Sequence, residues 1–557
     1  MFTKIFEKSI DKVFFMKGLL ILVVLFSIMS LTCRQAYGGH QVSQFGITWA
    51  FDLDYTTGRF ANGDYWIVGP VTIIGIDPPS MEVDGRIING SMVNPSPKLG
   101  RKHGYDSMLY GRYTADGDYV PDLNAARPNG MEISAANALV LQPGSSLIST
   151  ISTPQTDGRT RLQTAAVLTV LDGPAPEGSF RPAYCGSDKT IKYNKSQLDY
   201  SLLASLTPVP GSPGLSVVEN YFERLWLDHI PGWIGRCHHP LDNMPNYDRD
   251  VSTQLGVGVI MLQLNFTDQE KETLLVRYTQ IGIDLYGVIQ DGGLDNWQQD
   301  SGRKFPILFA GLMLNDPNMK GIGMKSGDYA YTSPYGPDNQ PQDLLRFEED
   351  ETTFYVSQTD IDLTHSSRWS PDPRDVMKLP YEQEDMGLPE WGKIRLYDRT
   401  KINKYWETTY RDVICPAWGG FILASHIMGI KDLWNHNAIF DYEDRYMAVA
   451  TRRRQTSRFV EDMWDAYRPE YGSVWTMSPT LNVIAAPGGS VGKYPNTAVY
   501  VFGEEVNLSA VADAGYKFAG WSGDLSGSET PCKITMHSNR TITANFEPVV
   551  SVPEHKK

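Results

Sequence analysis

Residues 389–447 read PEWGKIRLYDRTKINKYWETTYRDVICPAWGGFILASHIMGIKDLWNHNAIFDYEDRYM. The stretch opens on a loop crowded with Trp391, Arg395, Tyr397, Arg399, Tyr405, Trp406, Tyr410 and Arg411. It then turns into an apolar helix, FILASHIMGI, and a second, aromatic one around WNHNAIFDYEDRYM. Arg and Tyr this dense at the mouth of a helical hairpin suit an anionic, ring-shaped ligand. Aromatic faces stack on rings, and guanidinium forks grip carboxylates in two places at once. The plainer alternative is a helix–helix core with a polar rim.

The hairpin has company upstream. TQLGVGVIMLQL, residues 253–264, is apolar nearly all round, as a fully buried helix should be. Thr267 and Glu270 make a capping box that opens a long helix, in which Leu274, Tyr278, Ile281, Leu285 and Val288 keep helical spacing up to Asp291-Gly292-Gly293. Ser216 and Glu219 are read as a second capping box, opening a helix that runs to Pro231. GRKFPILFAGLML and SRFVEDMWDAY supply more. Amphipathic and fully buried helices joined by long decorated loops suit an α/α toroid. Roughly 260 residues hold about seven or eight helices of ordinary length with their loops, so the expectation for residues 215–472 is an incomplete toroid. Residues 39–208 read differently. Short β-branched runs such as YWIVGPVTIIGI and LQTAAVLTVL lie between Gly, Pro, Asp and Asn breaks, as in a β-sandwich-like domain. TPVPGSPG, residues 207–214, is the linker. The expected class is therefore multidomain α+β.

A chain of 557 residues exceeds what one core supports. Its formal charge is −15, and removing residues 1–38 takes away five basic and two acidic side chains, leaving −18. An acidic balance of this size argues against a nucleic-acid partner. GLLILVVLFSIMSL, residues 18–31, is too short for a comfortable membrane span but fits a signal-peptide core, with Lys17 before it and Ala36-Tyr37-Gly38 as the cleavage site. The expectation is secretion to the periplasm, medium or cell surface. Four cysteines would remain, Cys185, Cys237, Cys415 and Cys532. With no CxxC pair they support no metal cluster. Either one disulfide (Cys237–Cys415 first) or four thiols is expected.

Polar and aromatic residues gather in four central loops. The first carries His229, Arg236, His238, His239, Asn243, Asn246, Tyr247 and Arg249; the second carries Asp291, Asp295, Trp297, Arg303 and Lys304. The third is residues 391–399, and the fourth holds Tyr410 and Arg411. A separate loop at 179–193 is locally basic through Arg181, Tyr184, Lys189 and Lys192. Adjacent His238 and His239 lack HxH or HxxxH spacing, so no metal ligand is assigned. No cofactor is expected, although Asp-bearing loops at 241–250 and 291–300 leave bound calcium open. Carboxylate pairs for glycoside hydrolysis, such as Asp291 or Asp295 with Glu384 or Glu390, are available but not distinctive. Uronate β-elimination needs a base for the C5 proton, an acid for the leaving oxygen, and donors or cations on the carboxylate. Tyr, His, Arg and Asn meet that need.

Two resemblances complete the reading. GGSV, YVFGEEVNLSA, AGYKFAGWSGDLSG and TITANF, within residues 479–547, closely resemble the divergent internalin B-type repeat of bacterial surface and secreted proteins. This implies a small β-grasp-like module with Trp521 in its core, used for cell-surface or glycan contact. GRKFPILFAGLML, TYRDVICPAWGGFILASHIMG and LWNHNAIFDYEDRYM resemble secreted bacterial proteins grouped near alginate and glucuronan lyases of the toroid type. On that resemblance Tyr410 is the acid or combined acid and base, helped by Arg411, with His238 or His239 as alternative base. Arg303 and Arg395 bind uronate carboxylates, Trp297 and Trp391 stack on sugar rings, and Asn243 and Tyr247 complete the subsites. The Asn-His pair of such lyases has no secure counterpart, since Asn435-His436 opens a helix read as scaffold, and His426 is read as a satisfied core residue. A toroid glycoside hydrolase and a non-catalytic adhesion protein are the competing readings.

Overall fold

The computed structural model describes residues 40–110, 118–154, 160–230, 235–292, 301–324, 345, 347–365, 380–392, 414–449, 457–472, 474, 479–501, 504–536 and 540–549. By contacts the chain divides into one unit of residues 1–94 with 102–176 and a second of 95–101 with 177–557. The expected signal segment lies outside the described residues. None of the described helices is long and apolar enough to cross a membrane.

The first unit is built of sheets. One sheet runs Gln41–Gln44, Ile47–Phe51, Val71–Asp77, Leu139–Leu141. The other runs Thr57–Arg59, Tyr65–Val68, Leu162–Leu171, Ser145–Ser152, Ser91–Val93. Phe45 and Gly46, at φ 52 and 79, form the two-residue turn that joins the first two strands. Positive φ at both positions matches the twist of a tight hairpin. Inward-facing residues of both sheets, including Trp49 and Ile73 from one and Ile67, Leu147 and Leu168 from the other, share one core. Trp49 donates its indole N–H to Ser149 Oγ at 2.9 Å, so the largest side chain there buries no unmet donor.

The second unit begins earlier than the linker suggested. Residues 177–206 pack with the helices: Arg181 pairs with Asp284, Tyr193 donates to Asp316, and Leu206 bridges to Leu264. The Thr267 capping box forms as read, with Thr267 N–H donating to Glu270 Oε2 at 2.8 Å, and opens the helix Asp268–Gln290. Asp248–Leu262, Lys304–Met313, Gly419–Ile427, Asn437–Val449 and Arg458–Tyr467 are also helical. Phe305, Phe421 and Trp434 stack across these helices, with Phe421 and Trp434 parallel at 5.9 Å.

One expected helix is cut short. Leu215–Glu219 makes a single α turn behind Gly214, with no side-chain cap, and a tighter turn covers Asn220–Phe222. Leu225, Trp226, Leu227 and Ile230 are all buried, which leaves a continuing helix no face for solvent, and Leu227 sits at φ 64. That kink delivers Asp228 and His229 into the interior. The cysteines are also resolved: Cys185, Cys237, Cys415 and Cys532 are all thiols, so the Cys237–Cys415 bridge is not formed. Tyr442 donates to Cys415 Sγ at 3.3 Å instead.

Residues 479–549 form two three-stranded sheets around a separate core that includes Trp521. The six strands run from Leu481–Ala485 to Arg540–Pro548. No helix occurs among the module's described residues, where the expected β-grasp would carry one.

Candidate functional site

Asp228 is the centre of the buried polar cluster in the helical unit. Arg303 approaches it with both arms of its fork, Nε to Oδ2 at 3.1 Å and Nη2 to Oδ1 at 3.2 Å. His239 Nε2 lies 2.8 Å from Oδ1. Burial alone would raise the Asp228 carboxyl, but Arg303 and His239 outweigh it and hold it well below the usual carboxylate range. His229, the next residue, turns its ring the other way. Its Nδ1 meets the Tyr184 hydroxyl at 3.3 Å, and its ring meets that of His238 in a T-shaped contact at 6.4 Å between ring centres. Tyr184, Asp228, His229, His238, His239 and Arg303 are all buried.

The backbone around Tyr184 is fixed before its side chain is. Gln280 bonds Arg181 on both backbone sides, accepting from N–H and donating to O, each at 3.0 Å. The Arg181 guanidinium grips Asp284 at 3.0 and 2.6 Å. Asp284 Oδ1 also accepts from Tyr184 N–H at 3.3 Å. Two residues one turn apart on the Asp268–Gln290 helix therefore clamp the loop that carries the phenol. Burial pushes the Tyr184 hydroxyl well above its ordinary pKa, with Cys185, Asp228 and Asp284 adding to the effect. Burial pulls His229 down to about 3, so its imidazole is neutral. The pair is a protonated phenol beside a neutral imidazole, in a water-poor setting where hydrogen bonds are strong.

Arg303 belongs to a second cluster through its neighbours. Gly302 N–H donates to Glu349 Oε2 at 2.9 Å, and Lys304 N–H to Oε1 at 3.4 Å. Lys304 Nζ bonds Asp350 and the Trp434 carbonyl, and Trp434 Nε1 donates to the other Asp350 oxygen at 2.7 Å. Burial, then the charge of Asp350, raises Glu349 to about 7. Residues 301–304 thus join an Asp–His–Arg group to a Glu–Asp–Lys group.

Several sequence-based assignments change against this geometry. Arg303 is fully buried and its fork is engaged by Asp228, so it does not present a free cation to a carboxylate. Trp391 is fully buried on the strand Pro389–Trp391 and fills the core; no ring face is open for stacking. Asn243 spends its amide on the carbonyls of Tyr221 and Arg224 at 3.2 and 3.3 Å, tying down the loop. Tyr247 is half-exposed and stacks under Arg249 at 5.3 Å. Glu390 pairs with Arg445 at 2.6 Å, and Asp291 with Lys98 at 3.0 Å. His426 is only half-buried, with no hydrogen-bond partner for Nε2 among the described residues and its ring edge-on to Phe440. His436 bonds Thr353, consistent with scaffold. Tyr410, Arg411, Arg395 and Trp297 lie outside the described residues. Among the described residues no three His, Cys, Asp or Glu side chains are grouped to hold a metal ion.

Asp228, Glu349 and Asp350 were not singled out in the sequence. Asp228 could have been found as the polar dipeptide Asp228-His229 inside the apolar run 225–230. FEEDE at 347–351 gave no such signal, because an acidic run is ordinarily a solvated face.

Residues 479–550 match the family model of the divergent InlB B-repeat domain. No curated protein and no solved structure matches the chain.

Proposed function

We propose that the protein is a secreted polysaccharide lyase acting on a uronate-containing polymer by β-elimination, with its helical unit arranged as an incomplete α/α toroid. The observation that supports this is the Tyr184–His229 pair. In the proposed step, which requires the buried phenol to become accessible to the polymer, the C5 proton passes to the phenolic oxygen as the phenol's own proton moves to His229 Nδ1. The C4–O bond breaks, and the leaving oxygen receives a proton back through the same pair. Asp228, held ionised by Arg303 and His239, stabilises the imidazolium formed in passing. The substrate carboxylate is assigned to Arg395 and Arg411, with Tyr410 the rival phenol. The repeat module is assigned to glycan or cell-surface contact.

The test uses alginate, glucuronan and ulvan, since elimination leaves an unsaturated uronate that absorbs in the ultraviolet. Tyr184→Phe is expected to lower kcat by at least about 100-fold with little change in KM. A near-normal rate in Tyr184→Phe together with loss in Tyr410→Phe would move the chemistry to Tyr410. No absorbance rise on any of the three polymers would remove the lyase reading for them.

One observation favours a second reading. A buried carboxyl raised to about 7, Glu349, has the property of a general acid in glycoside hydrolysis. On that reading reducing ends appear without ultraviolet absorbance, and Glu349→Gln abolishes them.

A further inference from the structure

Lys189 is buried five residues after Tyr184, and among the described residues no carboxylate lies at bonding distance from it. Its neighbour Asp188 turns outward to Lys192 Nζ at 2.8 Å and to Thr190 N–H at 3.0 Å. Lys189 Nζ meets four consecutive backbone carbonyls instead: Ala183 at 2.8 Å, Tyr184 at 3.1 Å, Cys185 at 3.1 Å and Gly186 at 2.7 Å. An ammonium has three N–H groups, so at least one is shared between two oxygens. Four carbonyl dipoles aimed at one point repel each other unless a cation sits there. Ion-selective pores use the same arrangement, with backbone oxygens replacing a cation's hydration shell.

The turn packs closely on its neighbours, with Asp291 against Gly186 and Gly287 of the long helix against Ala183. Gly186, at φ 65, bends the chain round, and its N–H donates to Pro95 O at 3.1 Å. On the helix side Asp284 holds the Tyr184 N–H, as described above. Tyr184 is therefore held at its N–H by a carboxylate and at its carbonyl by Lys189, with its hydroxyl on His229.

We propose that Lys189 is a positioning residue, an internal cation that templates the 183–186 turn and so aims the Tyr184 hydroxyl at His229. The same carbonyl cage takes a free ammonium or potassium ion when the lysine is shortened. The first half rests on the reading of Tyr184 as the catalytic phenol; the second does not. A cavity of about 280 Å³ borders Ala183, Cys185 and Gly186, three of the four residues whose carbonyls meet Lys189. Burial pulls the Lys189 ammonium down to about 8, so the wild-type cage is mostly charged at neutral pH and loses its charge as the pH rises through about 8.

The test compares wild type, Lys189→Ala and Lys189→Met in lithium, potassium, ammonium and tetramethylammonium chloride at equal ionic strength. Thermal unfolding of wild type is expected to be indifferent to the cation. Lys189→Ala should unfold several degrees lower in lithium and recover saturably in ammonium or potassium. Lys189→Met, whose apolar chain fills the cage, should be destabilised without recovery. If Lys189→Ala does not fold in lithium, refolding yield replaces the melting point, with the same expectation. Identical behaviour of Lys189→Ala in all four salts overturns the cage. On a polymer that wild type cleaves, Lys189→Ala should lose about 100-fold in kcat at similar KM and regain it with ammonium, the size of effect a misplaced catalytic group produces. Unchanged kcat overturns the positioning role. Cation-dependent stability in a protein with no lyase activity would leave the cage standing and remove the lyase reading alone.

Discussion

Glu349 is a carboxyl whose environment works against its charge. It is fully buried, Asp350 lies beside it, and its own backbone N–H, that of Gly302 and the charge of Lys304 only partly offset those effects. Its folded pKa, about 7, lies above the value of 4.5 for an unperturbed glutamate. The folded state therefore binds the proton more tightly than the unfolded state. The stabilisation is complete below pH 4.5 and is lost as the pH rises through about 7. Wild type should lose at most about 3 kcal/mol across that window from this group. Glu349→Gln, a neutral side chain of the same shape, should remove that part of the slope. Denaturant unfolding at a series of pH values measures it, and an unchanged slope in the variant would assign the pH dependence to other groups.

At the scale of elements, one close helix crossing depends on two residues without side chains. Gly256, on Asp248–Leu262, and Gly420, at the start of Gly419–Ile427, face each other. A methyl added at Gly420 would stand 2.4 Å from Gly256 Cα, and one added at Gly256 would stand 2.9 Å from Gly420 Cα. Both neighbours are backbone, so neither can swing aside. Gly420→Ala forces the helices apart and should cost about 1–3 kcal/mol despite the better helix propensity of alanine. Circular dichroism melting checks this, with a solvent-facing Ala control elsewhere on a helix. The helices themselves were readable because their causes are local: a capping box at Thr267, periodic apolar residues, and a Gly-containing stop after Gln290. The 216–230 segment was misread for the opposite reason. Its Ser-x-x-Glu spacing looks like a cap, but the consecutive apolar residues at 225–227 are settled by the tertiary core, which no local rule sees.

At the scale of the molecule, the same division separates what the sequence revealed from what it hid. Patterns carried by neighbours in sequence pointed to a sheet-rich start, a helical middle and a terminal repeat. Partnerships across long separations did not: Asp228 with Arg303 spans 75 residues, and Arg181 with Asp284 spans 103. The basic loop at 179–193 was visible as a charge cluster, yet two of its cations, Arg181 and Lys189, are buried and work on the chain itself. The separate cores make a prediction about how the whole protein unfolds. Trp49 is fully buried among residues of the two N-terminal sheets, and its indole bond to Ser149 lies within the same unit. Trp49→Ala removes the largest side chain of that core and leaves the Ser149 hydroxyl without this donor. The expected cost is about 3–5 kcal/mol. For a unit of this size that lowers its transition by on the order of ten degrees. The helical unit and the repeat module, with the Phe305–Phe421–Trp434 stack and the Trp521 core respectively, contain none of the affected contacts. Calorimetry of the full chain should therefore show one transition moving and the others staying in place. A shift of the entire endotherm would mean instead that the cores unfold as one cooperative unit.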